Sequence, residues 1–267
     1  MYYVLNYVAV LAALLQLIPI YILLMVSFKK PNDFSSRWLP PKYLSFQNYA
    51  TILQKSSLFQ SFFNSIIITV GAVALVLFCG SICAYPISRI KNKTSALITN
   101  MVLAVMMIPS LSVIVPLYSI MLKIKAINTY WGVILVLVAY NLPMSVFLFS
   151  NFIRNISEEM DEAASIDGCS DWRIFFSIIF PQLTPIVASV LILTGIKIWN
   201  DYKYALYFLQ KRKYETITLF ISKFFSDFSA DLNAAAASAV LAILPACILF
   251  LCLQKFFISG ISEGSIK

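Results

Sequence analysis

A chain of 267 residues that is 60% hydrophobic and 12% charged, with a mean hydropathy of +0.84, is not a soluble globular domain. Soluble domains carry about twice that charged fraction, and an interior of this size cannot hide so much apolar surface. The same figures exclude a disordered chain and a disulfide-rich secreted domain. The net charge of +8 is spread over every loop with no patch interleaved with aromatics, which suits anionic lipid headgroups and not nucleic acid.

Six stretches lack Asp, Glu, Lys and Arg: Met1–Phe28, Ser56–Ser88, Thr94–Leu122, Ala126–Ile153, Ile174–Ile196 and Leu232–Gln254. Each exceeds the roughly 20 residues a helix needs to cross the hydrocarbon core. The ~10-residue alternating segments of a transmembrane barrel are absent. The expected fold is all-α, a polytopic membrane protein with six transmembrane helices at about 4–28, 62–88, 95–122, 130–153, 178–199 and 234–256, making a single transmembrane domain over 1–267.

The first stretch has no basic leader and is too long for a cleaved signal peptide. In the second, Cys79 and Cys83 stand four apart on one helix face and read as small packing residues, since the chain has no histidine to complete a metal set. Eight prolines lie in or beside the spans, from Pro19 to Pro245. They suit ordinary kinking, or bent helices around a transient cavity. The loops at 29–55 and 203–231 are long and the other connections short, so neighbouring helices run antiparallel. With cytoplasmic termini the inner loops and tail would hold seven Lys/Arg and the outer loops twelve, so charge alone does not orient the chain.

Six of the twelve acidic residues crowd into 158–171: Glu158, Glu159, Asp161, Glu162, Asp167 and Asp171. Ser157 is a plausible N-cap, with Glu158 and Glu159 at the positive end of the helix dipole. Ile156, Met160, Ala163 and Ala164 fall at helical spacing, Gly168 supplies a stop, and Ser170 can cap a second helix running to Pro181. The segment at about 154–177 is therefore a short amphipathic helix, a glycine turn and a helix re-entering the membrane. A metal or acid–base site, a solvated connector and a docking element all remain open at this point, the first weakened because helical spacing spreads the carboxylates around the axis.

Glu162-Ala163-Ala164, three residues, Gly168, nine residues and Ile178-Ile179-Phe180-Pro181 resemble the EAA loop of ATP-binding-cassette importer permeases, with Phe180 where leucine is usual. The resemblance runs over nearly the whole chain, to the smaller permease of the maltose-transporter type. Its other marks are Trp38-Leu39-Pro40, Asn48-Tyr49, Asn64-Ser65, Val115-Pro116-Leu117-Tyr118, Asn128-Thr129-Tyr130, Trp199-Asn200-Asp201 and the tail Leu253-Gln254-Lys255-Phe256-Phe257 with Gly260 and Gly264.

The resemblance implies a type I ABC importer permease in a bacterial or archaeal cell membrane, both termini cytoplasmic. Its coupling residues would be Glu158, Glu159, Met160, Glu162, Ala163, Ala164, Asp167, Gly168, Ile178 and Pro181, resting in a groove of a cytoplasmic ATPase. Partners would be a second related permease, two ATPase copies, an extracytoplasmic solute-binding protein and membrane lipid, with no nucleic acid. No cofactor is expected on this chain, because ATP and Mg belong to the ATPase. The substrate path for a sugar or oligosaccharide would run between the two permeases, with Asn64, Tyr140, Asn141, Trp199 and Asn200 as polar candidates in or beside spans, and Lys197 able to snorkel.

An ion-coupled secondary transporter is the alternative, but it usually places carboxylates inside spans, and these spans contain none. A membrane-embedded enzyme lacks histidine for its commonest catalytic parts. The seven glycines make no G-x-x-x-x-G-K-[ST] loop, so ATP hydrolysis belongs to another chain.

Overall fold

The computed structural model describes residues 2–31, 33, 35–54, 56–226 and 231–265, and among them every regular element is helical. The α-helices are α1 (Tyr2–Ser27), α2 (Gln47–Leu53), α3 (Ser56–Arg89), α4 (Lys93–Met106), α5 (Ile114–Lys123), α6 (Tyr130–Ile153), α7 (Glu159–Ile166) and α8 (Asp171–Ile174). A π turn over Phe175–Ile179 leads into α9 (Phe180–Gln182), α10 (Thr184–Trp199), α11 (Lys203–Phe208), α12 (Ile217–Ser226) and α13 (Leu232–Ser265).

Among the described residues four segments are long and apolar enough to cross a membrane: Leu5–Ser27, Ser57–Arg89, Tyr130–Ile153 and Leu232–Cys252. The stretch expected as a fifth span is a pair, Asp171–Gln182 and Thr184–Trp199, bent by 75°. The stretch expected as one helix over 95–122 is two, α4 and α5, parted at 107–113. Pro109 disfavours helical backbone at Ile108, and the amides of Met107 and Ile108 turn to the carbonyls three residues back. Counting the bent pair as one span gives five among the described residues, with α4 and α5 as shorter apolar helices beside them.

The chain divides into two compact units, Met1–Asn64 with Glu215–Pro245, and Ser65–Tyr214 with Ala246–Lys267. In the first, the end of α1 is closed by side chains from α2. Asn48 Nδ2 donates to the carbonyls of Ser27 at 3.1 Å and Lys29 at 2.7 Å, and Tyr49 Oη donates to Ser27 Oγ at 2.8 Å. The bond to Ser27 O satisfies a carbonyl that the end of α1 leaves without a partner, and the other two fix the turn beyond it, which gives Asn48-Tyr49 a physical role. Lys29, only 1% exposed, places its ammonium on Ser35 O, Ser35 Oγ and Ser36 O at 3.1, 2.8 and 2.7 Å.

The second unit is built around α6, against which α4, α10 and α11 pack. Thr129 caps α6 by accepting the Gly132 amide at 3.2 Å. Asn128 adopts φ +57° and joins the region after α11, its amide donating to Phe208 O at 2.8 Å and its Oδ1 accepting the Lys211 amide at 2.7 Å. Val76, Ala84, Val146, Phe149, Ile153, Ile174, Phe175, Ile179 and Leu183 form its buried core.

Candidate functional site

The amphipathic segment folds as a short helix with a sharply defined end. Glu158 occupies the cap position, while Ser157 Oγ accepts the Glu159 amide at 3.3 Å. At the other end the Cys169 amide reaches Ala164 O and the Gly168 amide reaches Ser165 O, each at 3.0 Å. Those two bonds form a Schellman closure, which needs a left-handed residue at the turn. Gly168 supplies it with φ +79°.

The apolar face expected on α7 splits in two. Ala164 is buried in the core beside Ile153, Ile174 and Phe175, seating the helix on its own protein. Met160, Ala163 and Ile166 face outward, Ile166 87% exposed. Trp172 (63% exposed) stacks on Phe176 with ring centroids 6.0 Å apart, and Phe176 and Phe180 are also exposed. Glu159, Glu162 and Asp167 stand exposed around this apolar group. An exposed apolar patch rimmed by charge marks a surface that meets another molecule.

Three residues not picked out by the sequence pattern hold α7 in place. Arg89, at the end of α3, forms an ion pair with Asp161 at 2.8 Å, the side chains 11% and 16% exposed. Its Nη1 donates to Ile153 O at 3.2 Å, in the last residue of α6, and to Ile156 O at 2.9 Å in the turn just beyond it. Tyr85 Oη donates to Asp161 Oδ1 at 2.5 Å. The only sequence signal was Tyr85 and Arg89 four apart on one helix face. Lys91 pairs with Glu158 at 2.8 Å in the open, and its hydrogen bond and charge hold the Glu158 carboxyl below the usual carboxylate range. Within the acidic run Asp161 and Glu158 thus have separate partners, and among the described residues no group of three His, Cys, Asp or Glu is placed to hold a metal.

Beyond Gly168 the chain re-enters through the π turn, immediately before Pro181, whose nitrogen cannot donate. Ile178 is half-buried and accepts from Gln182 Nε2 at 2.8 Å, Pro181 is exposed, and Leu183 at the bend is fully buried.

A cavity of about 620 Å³ in the second unit is lined by residues of α4, α5, α6 and α10 and the break after α4. It brings together Tyr140 and Asn141 of the expected polar set, with Thr194 and Lys197. The other three lie elsewhere. Asn64, in the first unit, donates to Glu215 O at 2.8 Å, Trp199 is packed in the interior, and Asn200 Nδ2 turns back to Ile196 O at 2.9 Å. Beside Tyr140, Lys203 donates to Ser110 Oγ and stands 4.2 Å over the Tyr204 ring. Asp201 Oδ2 accepts the Ala205 amide at 3.0 Å, and burial raises its carboxyl above the ordinary range.

The fold and site define a polytopic helical protein that displays a short charged-rimmed helix to a partner. Residues 76–263 match the family described as binding-protein-dependent transport system inner membrane component, and the chain belongs to that family. It is 40% identical over 265 residues to the melibiose/raffinose/stachyose import permease protein MelC of Bacillus subtilis (strain 168), covering 99% of this chain and 96% of that one. It is 33% identical over 266 residues to the probable starch degradation products transport system permease protein AmyC of Thermoanaerobacterium thermosulfurigenes, covering 99% and 97%. The same fold occurs in a bacterial ABC transporter involved in the import of the acidic polysaccharide alginate, with a TM-score of 0.82, 21% identity and 96% of each chain covered. The chain is a multi-pass permease, a transport subunit and not the ATPase.

Proposed function

We propose that this chain forms half of the translocation path of an ATP-driven importer for a sugar or oligosaccharide in a bacterial or archaeal cell membrane. A second related permease supplies the other half, two copies of a cytoplasmic ATPase bind at α7, and an extracytoplasmic solute-binding protein delivers the solute. Both termini lie on the cytoplasmic side, because α7 must meet the ATPase there. The observation that carries this reading is the exposed group Met160, Ala163 and Ile166 on a helix otherwise anchored to its own protein, ended at Gly168 and ringed by Glu159, Glu162 and Asp167. The sugar class follows the relatives named for oligosaccharide import, and Tyr140, Asn141, Thr194 and Lys197 are the polar groups offered to it.

The test is gentle extraction of the tagged chain from its native membrane, with identification of what accompanies it, followed by raffinose uptake by the reconstituted assembly. One related permease and two ATPase copies are expected, with the ATPase lost from E162K and G168V. A lone chain or homodimer without ATPase would overturn the reading.

A further inference from the structure

We propose that Arg89 is the positioning residue that joins the coupling helix α7 to the ends of α3 and α6, so that any displacement of α7 reaches both membrane helices together. This rests on the reading of α7 as the ATPase-docking helix.

One guanidinium makes three connections. Its Nη2 pairs with Asp161 on α7 at 2.8 Å, and its Nη1 donates to Ile153 O and Ile156 O at 3.2 and 2.9 Å. Its own backbone is the last turn of α3. Only arginine offers this flat fork of donors, which fixes direction as well as distance. A cation at the C-terminal end of α6 also meets the negative end of that helix dipole. Tyr85, one turn earlier on α3, takes the second oxygen of the same carboxylate at 2.5 Å, so Asp161 is held from two directions.

The rest of the neighbourhood makes the joint stiff. Ser88 Oγ donates to Ala84 O within α3 at 2.5 Å and lies 3.3 Å from Ser150 O, so α3 and α6 approach closely beside Arg89. Ala164 on the adjoining turn of α7 is buried in the same core cluster as Ile153, Ile174 and Phe175. The Lys91–Glu158 pair, with side chains 74% and 49% exposed, adds little by comparison, since water screens it. Asp161 therefore differs in role from Glu159, Glu162 and Asp167. It faces the membrane helices and not the docking surface.

The decisive measurement is hydrogen–deuterium exchange on the complete complex in nanodiscs, with and without AMP-PNP, for wild type, R89Q and D161N. In the wild type, AMP-PNP is expected to change exchange in α7 and, with it, at the ends of α3 and α6. In both variants the ATPase still co-purifies and α7 still responds, but the response at the α3 and α6 ends shrinks about 2- to 30-fold. R89K, which keeps the charge without the fork, falls between. A wild-type response at α3 and α6 in R89Q and D161N overturns the clamp. Loss of the ATPase from D161N also overturns it, since Asp161 would then belong to the docking surface. If R89Q does not accumulate, D161N and Y85F decide the matter, each removing one contact at nearly constant volume. A wild-type complex in which α7 ignores AMP-PNP overturns the docking reading instead.

Discussion

Gly80 on α3 faces Ser145 on α6 so closely that a Cβ at position 80 would lie 3.0 Å from the Ser145 Cβ and 3.5 Å from Phe149 Cδ2. Ser145 Oγ donates to Val76 O across the same crossing at 3.2 Å. Small residues at a crossing let two backbones approach, and in lipid such close packing is the main force holding helices together. The pair of helices that meets α7 through Arg89 is thus already joined roughly 14 Å further along α3.

Gly80→Ala is expected to force α3 and α6 apart and lower stability by roughly 1–3 kcal/mol, the usual range for overpacking. Thermal unfolding of the detergent-purified protein reads this directly. Adding Ser145→Gly should restore part of the loss, because the two positions share one contact; simple additivity of the two changes would contradict the close approach.

At Gly168 the obstacle to a side chain is backbone and not space, since a Cβ there meets nothing within 4 Å and φ is +79°. Gly168→Val is expected to cost about 1–2 kcal/mol or more in conformational strain. Gly168→Asn should be milder, because asparagine tolerates the left-handed region. Equal ATPase retention and equal melting temperatures for the two variants would show that the Schellman closure is not what sets the end of α7.

Lys29 is buried with three oxygen acceptors and no ion-pair partner among the described residues. Replacing it by methionine keeps the stem but removes its hydrogen bonds to Ser35 and Ser36, each worth about 0.5–1.5 kcal/mol net. Limited proteolysis should show faster cleavage within 30–46 in Lys29→Met than in wild type.

Asp201 gives a pH dependence with a definite sign. Burial raises its carboxyl, against the Ala205 amide and the Lys203 charge, which pull it down. A carboxyl with a folded pKa above its unfolded value contributes stability below the unfolded value, and that contribution is lost as pH rises through the folded one. The wild-type melting temperature should therefore fall relative to Asp201→Asn as pH rises from about 4 towards 7. Parallel profiles for the two proteins would rule this out.

Tyr140 borders the cavity and Asn200 does not. Tyr140→Phe removes one hydroxyl and is expected to raise the KM for solute uptake by about 2- to 10-fold, the span of a single neutral hydrogen bond. Asn200→Ala should leave KM unchanged. The reverse pattern, measured by uptake into vesicles, would move the solute path away from this cavity.

Properties written in one dimension were legible without a fold. Charge-free stretches announce a polytopic helical membrane protein, because lipid does not tolerate unpaired charge or unpaired backbone. A glycine between two helical patterns announces the turn at 168, because the sign of φ is a local demand. What the chain alone did not reveal was which neighbours those elements find. Ala163 and Ala164 look alike in sequence, yet one is exposed and the other buried against Ile153 and Phe175. Asp161 looks like any member of its acidic run until Tyr85, 76 residues away, and Arg89 close around it. Likewise Tyr140 and Asn64 are equal candidates by polarity and position, and only packing gives one a cavity and the other the Glu215 carbonyl. Hydropathy and backbone preference are set within a few residues, whereas the choice of partner for a buried charge is made by whichever distant helix packs against it.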